Sequence, residues 1–377
     1  MIILLINYEY PPIGAGAANA TRHIAKAMVE LGHTAVVLTA GIGDTVGYSV
    51  EDGGVHVHRL ASARAKVSSS NPREMLSFVW HAWRSLDRII KQHKPDKAIL
   101  FFSIPCGLLG PRLKNTYNIP YIVALRGGDV PGMEPGMDNV HKLLTPVRRR
   151  ILRNAHAIVA NSRGLAAASE RADPFPVQVI PNGVDTEFFR PPTKRPDGPF
   201  TFLFVGRFQP QKNLKVVIDA FADAFAGRDV HLRLVGDGPL KSDLVRQVQQ
   251  CGIEHQVEFL PWQDKQGLLS QYQSAHCLIN YSLYEGMPNV VLEAMACGLP
   301  VILSDIMGHQ ELALSSSSQV HIVSLQNWKN LAQELQRSFS MTDSTSAATG
   351  REFYERYDWK IVAERFLIVH VSIDSDD

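Results

Sequence analysis

Short apolar runs that alternate with longer amphipathic segments constrain the fold of this chain more than any other feature. The runs in the first half are Met1–Asn7, Thr34–Thr39, Lys97–Phe102, Tyr121–Ala124 and His156–Ala160. Between several of them the apolar residues have helical spacing, as in Ala20–Leu31 and Pro72–His93. Strands of nearly continuous Val, Ile and Leu, each followed by a helix, are typical of a parallel sheet that is covered on both faces.

The alternation starts again in the second half. Its predicted strands are Phe200–Val205, His231–Val235, Val257–Leu260, Cys277–Ile279 and Pro300–Ser304, and its predicted helices are Asn213–Phe225, Pro239–Cys251 and Pro288–Cys297. The segment Pro181–Pro199 between the halves is rich in Pro and lacks periodicity, as domain linkers do. We therefore predict an α/β protein with two tandem doubly wound, Rossmann-like domains. Ligands are expected at the carboxyl ends of both sheets, in a cleft.

The predicted domain bounds follow from this linker. The first domain is residues 1–185, the linker residues 186–198, and the second domain residues 199–356. Residues 357–377 are predicted to contain a final helix, anchored by Trp359, and a frayed acidic tail at Asp374–Asp377.

Composition narrows the class of protein. Hydrophobic residues make up 45% of the chain and charged residues 20%, as in ordinary globular proteins. The apolar start Met1–Ile6 is too short to span a bilayer, and it lacks the basic region and cleavage site of a signal peptide. The four cysteines have no CxxC spacing, which argues against a zinc site or a disulfide framework. We therefore expect a cytoplasmic chain.

Charge is distributed unevenly along the chain. Residues 1–190 contain 22 Lys and Arg against 15 Asp and Glu, and the remainder contains 16 against 22. Thr145 and Pro146 are predicted to cap and open a basic helix with Arg148, Arg149, Arg150 and Arg153. Such a helix either docks on anionic lipid, at the inner face of the cell membrane, or is only a solvated face. No basic-aromatic cluster indicates nucleic acid as a partner.

Two loops that follow predicted strands have the residue types of an anion site. In the first loop, Gly14 and Gly16 either bring backbone N–H groups to a phosphate or only permit a tight turn. In the second loop, Arg207 and Lys212 place two cations five positions apart at a strand end. This pair is suited to neutralise a diphosphate, and the alternative is two solvated loop cations.

The segment Tyr284–Asp305, YEGMPNVVLEAMACGLPVILSD, carries the most information. Pro288 fits the first position of a helix, so the helix N-terminus is predicted to form an anion site. Glu293 has apolar neighbours and needs a polar partner, such as sugar hydroxyls. Eight residues along a helix would separate Glu285 from Glu293 by ~12 Å, whereas glycosidase carboxyls lie roughly 5–9.5 Å apart. A glycosidase is therefore disfavoured.

These segments, in this order and spacing, resemble the retaining glycosyltransferases of family 4, which have the two-domain GT-B architecture. The resemblance covers essentially the whole chain and implies a hexosyltransferase that uses a nucleotide-sugar donor. It also implies retention at the anomeric carbon, no metal or other cofactor, and a last helix that crosses back onto the first domain. At the level of the family, the acceptor is a glycan or lipid-linked intermediate of bacterial envelope or exopolysaccharide synthesis.

The resemblance implies roles for individual residues. Arg207 and Lys212 would bind the donor diphosphate and act in catalysis. Glu285, also catalytic, would contact the donor sugar, Glu293 would hold the ribose hydroxyls, and backbone near Leu260 would meet the base. The turn and helix N-terminus that would cap the diphosphate are Gly286, Met287, Pro288, Asn289 and Val290.

Two departures from the family pattern concern the first domain. The family often has adjacent glycines in the first loop, whereas here Ala15 separates Gly14 from Gly16. A His commonly follows the fourth strand, where this chain has Arg126, and the role of Arg126 stays open. Asp129 is predicted to act in catalysis by bonding a sugar hydroxyl or orienting the acceptor. The alternative is that Asp129 only caps the following turn.

Two other functions match parts of the pattern. A dinucleotide-dependent oxidoreductase would need Gly where Asn19 stands and an acidic residue at the end of Thr34–Thr39. A non-catalytic sugar-nucleotide-binding module would keep Glu293 and the cations but would form no product.

Overall fold

The computed structural model describes residues 1–14, 16–67, 70–133, 136–195, 197–313, 320–340, 353 and 356–369. The chain divides into two compact units. The first contains residues 1–183 and the described residues from Trp359 onward, and the second spans Val184–Asp358. The tail predicted at Asp374–Asp377 lies outside the described residues.

The first unit is built on a sheet with eight described strands. They are β1 (Ile2–Ile6), β2 (Thr34–Gly41), β3 (Gly47–Glu51), β4 (Val55–Ala61), β5 (Lys97–Phe101), β6 (Tyr121–Leu125), β7 (Ala157–Ala160) and β8 (Gln178–Val179). Their order across the sheet is β3-β4-β2-β1-β5-β6-β7-β8. Neighbours run parallel except β3 and β4, which form an antiparallel hairpin at one edge. The carboxyl ends of the parallel strands therefore share one edge of the sheet.

Five helices connect these strands. They are α1 (Gly16–Glu30), α2 (Pro72–His93), α3 (Gly110–Tyr117), α4 (Asp138–Asn154) and α5 (Arg163–Ala172). The bounds of α2 agree with the predicted ones because a capping box marks its start. Asn71 Oδ1 accepts from Glu74 N at 3.0 Å, and Glu74 Oε2 accepts from Asn71 N at 3.1 Å.

Helix α4 begins at Asp138, eight residues before the predicted first helical residue Pro146, so the prediction that Thr145 and Pro146 open it is wrong. Thr145 Oγ1 donates to His141 O at 2.9 Å, one turn earlier, instead of capping the helix. Pro146 lies inside the helix. Two side chains after the Pro, Arg148 and Arg149, pair with Asp173, and these tertiary contacts offset the hydrogen bond that Pro146 removes.

The core of the first unit occupies both faces of its sheet. Leu4 and Ile6 belong to a cluster with Phe78 of α2, while Ile3 and Leu5 belong to a second cluster with residues of α1. All five side chains are almost fully buried. This two-sided burial explains why the strands read as continuous apolar runs, and it confirms the predicted covered parallel sheet.

The second unit contains a parallel sheet with six described strands and six described helices. The strands are β9 (Phe200–Val205), β10 (Val230–Val235), β11 (Val257–Leu260), β12 (Cys277–Asn280), β13 (Val301–Ser304) and β14 (Val320–Val323), in the order β11-β10-β9-β12-β13-β14. The helices are α6 (Leu214–Phe225), α7 (Lys241–Gln250), α8 (Lys265–Ser274), α9 (Asn289–Ala296), α10 (Met307–Ala313) and α11 (Trp328–Ser340). This unit confirms the second predicted α/β domain.

The final described helix, α12 (Trp359–Ile368), belongs to the first unit, although the second unit precedes it in the chain. It packs beside α1, where the Trp359 ring stacks on His23 with 5.3 Å between centroids. Gly183 allows this approach, since a Cβ there would lie 2.6 Å from the Trp359 ring. Among the helices of the described residues, none is long and apolar enough to cross a membrane.

We expect Trp359→Ala to destabilise the first unit by about 3–5 kcal/mol, because it opens a cavity at a side chain that is only 6% exposed. Equilibrium unfolding in urea measures the change. Trp80→Ala is the matched control, since Trp80 is 56% exposed and should change the free energy of unfolding little. Equal effects of the two substitutions would contradict the anchoring role of Trp359.

Candidate active site

The carboxyl ends of β9 and β12 meet where the strand order of the second unit reverses. The chain runs from β9 outward to β10 and β11, then returns to place β12 on the other side of β9. Such a switch point is the usual ligand site of an open parallel sheet, because the connections leave it in opposite directions. The loop after β9 carries Arg207 and Lys212, and the loop after β12 carries Glu285. The structure thus places three predicted site residues on adjoining loops.

An ion pair joins these two loops. Lys212 Nζ contacts Glu285 Oε1, and the two side chains are 14% and 12% exposed. Ser282 Oγ donates to the same Glu285 oxygen at 2.9 Å, and Gln211 Nε2 donates to Tyr284 O at 2.7 Å. A cation and a carboxylate are therefore held side by side with little solvent around them. Such a pair is suited to a ligand that carries both phosphate and hydroxyl groups.

Close backbone packing positions the loop that carries Arg207. The Arg207 residue itself is half-buried. A Cβ on Gly236 would lie 2.0 Å from Gly206 O, and one on Gly238 would lie 2.4 Å from Phe208 O. Gly236 also has φ +142, a region that favours glycine. The loop after β10 therefore supports the Arg207 loop directly, and only glycine fits at both contacts.

Helix α9 begins one residue later than predicted. Pro288 is the N-cap, in an extended conformation (φ −77, ψ 114), and Asn289 is the first helical residue. The placement of Pro288 at the first helical position is therefore wrong. The predicted residues Gly286, Met287 and Val290 lie in this turn and first helical turn. The positive end of the helix dipole still lies in the loop that carries Glu285, because the shift is a single residue.

Glu293 lies on α9 and is half-buried. Its Oε2 accepts a hydrogen bond of 2.8 Å from the hydroxyl of Tyr272, a fully buried residue of α8. Burial raises the pKa of Glu293 to about 7, although the Tyr272 hydroxyl and the nearby Lys265 both act to lower it. The apolar neighbours of Glu293 in the sequence predict a polar partner for this carboxylate. Tyr272 as that partner is not predictable, because nothing in the sequence links two positions on different helices.

The first turn of α10 packs directly against the loop that carries Glu285. A Cβ on Gly308 would lie 2.1 Å from Gly286 O, so glycine is required for this contact. The adjacent His309 is fully buried, and its Nδ1 lies 3.0 Å from Ser304 O. Burial lowers the pKa of His309 to about 4, so its imidazole is neutral at physiological pH. The sequence analysis did not single out this residue.

Two family models account for most of the chain. The model described as Glycosyltransferase Family 4 matches residues 14–188, and the model described as Glycosyl transferases group 1 matches residues 185–352. The chain belongs to the family 4 glycosyltransferases. The second matched segment contains the β9 and β12 loops described above.

Known proteins resemble this glycosyltransferase over different lengths. An uncharacterized glycosyltransferase of Methanocaldococcus jannaschii is 24% identical over 98% of both chains. The Escherichia coli UDP-Gal:α-D-GlcNAc-diphosphoundecaprenol α-1,3-galactosyltransferase is 33% identical over 36% of this chain and 38% of the relative. The solved sucrose-phosphate synthase of Thermosynechococcus elongatus superposes with a TM-score of 0.80 at 20% identity, covering 97% of both chains. This last similarity confirms the predicted fold of two Rossmann-like domains.

In the first unit of the glycosyltransferase, Asp129 is buried and bonded to backbone on two loops. Its Oδ2 accepts from Ser103 N at 2.6 Å, and its Oδ1 accepts from Arg126 N at 3.0 Å and Gly127 N at 3.2 Å. Burial raises the pKa of Asp129 in spite of these bonds. These contacts join the β6 loop to the β5 loop, and all three donors precede Asp129 in the chain.

Arg126 follows the same strand, β6. Its guanidinium lies 4.8 Å from the centroid of Phe101, and its Nη1 donates to Asn182 Oδ1 at 2.8 Å. Burial lowers the pKa of Arg126 to about 10, which leaves the side chain charged at neutral pH. A permanent cation therefore occupies the position where the family commonly has a His.

The remaining predicted residues, Gly14, Gly16 and Leu260, are placed by their backbone conformation and backbone hydrogen bonds. The Gly14 N–H donates to Val67 O at 2.9 Å, so this amide is already used within the first unit. Gly14 has φ +92, and a Cβ there would lie 2.7 Å from the Cβ of Glu9, so the glycine permits a tight turn. Gly16 is the first residue of α1. In the second unit, Leu260 O accepts from Gly236 N at 2.9 Å at the end of β11.

We expect Glu293 to make folding stability depend on pH. Because burial raises its pKa from 4.5 to about 7, its contribution is most favourable below pH 4.5 and is lost as the pH rises through 7. The loss is at most about 3 kcal/mol. Chemical unfolding between pH 4.5 and 8 should show a flatter profile for Glu293→Gln than for the parent chain.

Glu254→Gln is the control for this measurement, since Glu254 is exposed. It should leave the pH profile of the parent chain unchanged. An unchanged slope in Glu293→Gln would show that this carboxyl titrates normally.

Proposed function

We propose that this glycosyltransferase moves a hexose from a nucleotide diphosphate sugar to an acceptor, with retention at the anomeric carbon. The observation that carries the proposal is the ion-paired Lys212 and Glu285 on two adjoining loops at the switch point. Arg207 on one loop and the N-terminus of α9 on the other add positive charge. Four features at one sheet edge thus match a ligand that has a diphosphate next to a sugar.

The proposed chemistry breaks the bond between the anomeric carbon and the distal phosphate oxygen of the donor. Negative charge develops on that oxygen, and Arg207, Lys212 and the α9 amides stabilise it. The acceptor hydroxyl bonds to the same face of the carbon, and its proton passes to the departing phosphate oxygen. Retention follows because the bond forms on the face from which the leaving group departs, and no enzymic nucleophile takes part.

The positive charge of the second unit replaces a divalent ion in this proposal. Two side-chain cations and a helix dipole neutralise the charge that Mg²⁺ neutralises in many other phosphate sites. Glu293 accepts hydrogen bonds from the ribose, and backbone near Leu260 contacts the base. Lys212 has to leave Glu285 in part, so that it can bind phosphate while Glu285 binds a sugar hydroxyl.

The proposed acceptor is a glycan or a lipid-linked intermediate of envelope or exopolysaccharide synthesis, bound by the first unit. The name of the Escherichia coli relative supports this class, since it specifies a UDP-sugar donor and a diphosphoundecaprenol acceptor. A non-catalytic sugar-nucleotide-binding module is the alternative, because Arg126 replaces the His common in the family.

We expect at least one sugar nucleotide among UDP-, GDP- and ADP-sugars to raise the melting temperature of the chain, because a bound ligand stabilises the folded state by mass action. Arg207→Ala and Lys212→Ala should abolish the shift. Arg207→Ala should also lower the transfer rate by orders of magnitude, typically ~10²–10³-fold, through lost stabilisation of the leaving group.

Lys241→Ala is the matched control, since Lys241 is a cation of the same unit that pairs with Asp237 outside the two loops. The Lys241→Ala variant should bind donor with the parental affinity. EDTA should change neither donor binding nor turnover of the parent chain. Near-parental turnover of Arg207→Ala would contradict the proposal that Arg207 stabilises the leaving group. Donor binding without product for any acceptor would favour the non-catalytic module.

We also propose that α4 docks the enzyme on an anionic membrane. Val140, Leu143 and Val147 form a strip at i, i+3, i+7 spacing, and they are 43%, 80% and 41% exposed. Arg150 and Arg153 lie on the solvent-facing side of the same helix, whereas Arg148 is buried against Asp173. An exposed apolar strip beside cations is the pattern of helices that lie in the membrane interface.

We expect the full chain to float with liposomes that contain anionic lipid and not with purely zwitterionic ones. Leu143→Glu should reduce flotation severalfold, because it places a charge in the apolar strip. Leu76→Glu is the control, since Leu76 is an equally apolar, 61% exposed residue on α2. Equal loss in both variants, or flotation independent of lipid charge, would refute docking through α4.

A further inference from the structure

A cavity of about 470 Å³ lies in the first unit, between the β3–β4 hairpin and α2. It opens because β3 is an edge strand whose outer side chains face solvent, with Tyr48 52% exposed. Four polar residues of α2 line one wall at i, i+4, i+7 and i+11 spacing: His81, Ser85, Arg88 and Gln92. Neither the ion-paired loops of the second unit nor the residues predicted from the sequence contribute to it.

Two of the residues that border this cavity, Arg59 and Arg88, are cations, and their side chains lie on different faces of the β3–β4 hairpin. Arg59 is 8% exposed and is held by Glu51, with 3.0 Å between Nη2 and Oε2. Its Nε is buried and has no hydrogen-bond partner among the described residues. Arg88 is exposed and makes no hydrogen bond or ion pair within the described part of the chain. The carboxylate next to it in sequence, Asp87, pairs with Arg112 instead. The guanidinium of Arg59 contacts Glu51 and the ring of Tyr10, away from α2. Within the described residues, Arg88 is therefore the cation that is available to a ligand in the cavity.

The inner wall of the cavity is aromatic and uncharged. His58 Nε2 lies 2.9 Å from His93 Nε2, so the N–H of one imidazole donates to the ring nitrogen of the other. Burial lowers the pKa of His58 to about 4, with His93 and Arg88 adding to the effect. The ring of Tyr48 lies 4.8 Å from that of His58. A ligand would thus meet ring faces and neutral polar groups inside and a guanidinium at the rim.

The cavity also reaches the carboxyl edge of the sheet in the first unit. Leu60 and Ala61, which line it, end β4, and β4 runs parallel to β2 and hence to β1. Two strand spacings separate β4 from β1, which is about 10 Å. An elongated acceptor bound at the carboxyl end of β1 can therefore extend into the cavity.

We propose that this cavity binds a sugar unit of the acceptor that carries a carboxylate or phosphate, with Arg88 pairing the anion and the Tyr48–His58 wall contacting the ring. Its volume suits one small ligand, since such sites are typically ~300–1,000 Å³. Arg88 selects an anionic substituent, and the polar residues of α2 supply hydrogen bonds to sugar hydroxyls. The inference deepens the proposed function, because it rests on the acceptor being a glycan.

Binding to the full chain is measured with three probes: methyl glucuronide, glucose 6-phosphate and the neutral methyl glucoside. The imidazole NMR signals of His58, His81 and His93 report occupancy of the cavity. We expect either anionic sugar to shift these signals, and the relative affinities distinguish a carboxylate from a phosphate substituent. Arg88→Ala should weaken the anionic probes roughly tenfold or more, as expected for one charge-assisted hydrogen bond.

Arg73→Ala is the matched control, since Arg73 is an exposed cation of the same helix outside the cavity. It should leave all three affinities unchanged, and both variants should unfold at the parental temperature. Equal binding of methyl glucoside, or no effect of Arg88→Ala, would overturn the proposal. Inorganic phosphate that competes as well as glucose 6-phosphate would overturn the sugar component.

The sugar nucleotide selected in the screen of UDP-, GDP- and ADP-sugars, added to the same samples, separates this inference from the proposed donor chemistry. Its affinity should be the same in Arg88→Ala as in the parent chain, because the cavity lies in the first unit. A chain that binds the anionic sugars but no nucleotide sugar would retain the cavity assignment and reject the proposed donor. The converse result would reject only the cavity.

Discussion

Strands that are buried on both faces impose the main constraint on this structure. The inner strands of both sheets are covered by helices on both sides, so most of the connections return through a helix and the strands other than β3 run parallel. All strand-to-helix loops then gather at one edge. Arg207, Lys212 and Glu285 lie on such loops, and so do Arg126 and Asp129 in the other unit. Parallel strand direction thus collects side chains that are far apart in sequence.

Within the second unit, mutual neutralisation stabilises groups that would otherwise be costly to hold near the protein interior. Lys212 and Glu285 lose most of their solvent and offset this loss by pairing. Glu293 has only a hydroxyl partner, and its pKa rises accordingly. A ligand with phosphate and hydroxyl groups can satisfy all three side chains, since it supplies an anion for the cation and donors for the carboxylates.

Much of the fold could be predicted, because two-sided burial leaves a strong apolar signal and caps mark helix ends. The bounds of β9, β11 and α2 agree with the sequence prediction, and the family resemblance is confirmed. The β3–β4 hairpin was missed, because β4 reads VHVHRLA and mixes polar with apolar residues at a sheet edge. Pro146 was misread as a helix start, since local preference suggested it and tertiary contacts of Arg148 and Arg149 override it. The Tyr272–Glu293 bond depends on how two helices pack, which no local pattern encodes.

The return of α12 to the first unit has a consequence for synthesis. The second unit is an insertion whose two ends are joined, since Val184 N donates to Tyr357 O at 2.7 Å and Val184 pairs with Asp358. A segment closed in this way has all its residues before the chain is finished. The first unit, by contrast, needs Trp359 and the rest of α12, which follow the second unit in the chain. The first unit can therefore be completed only after the second unit has been synthesised.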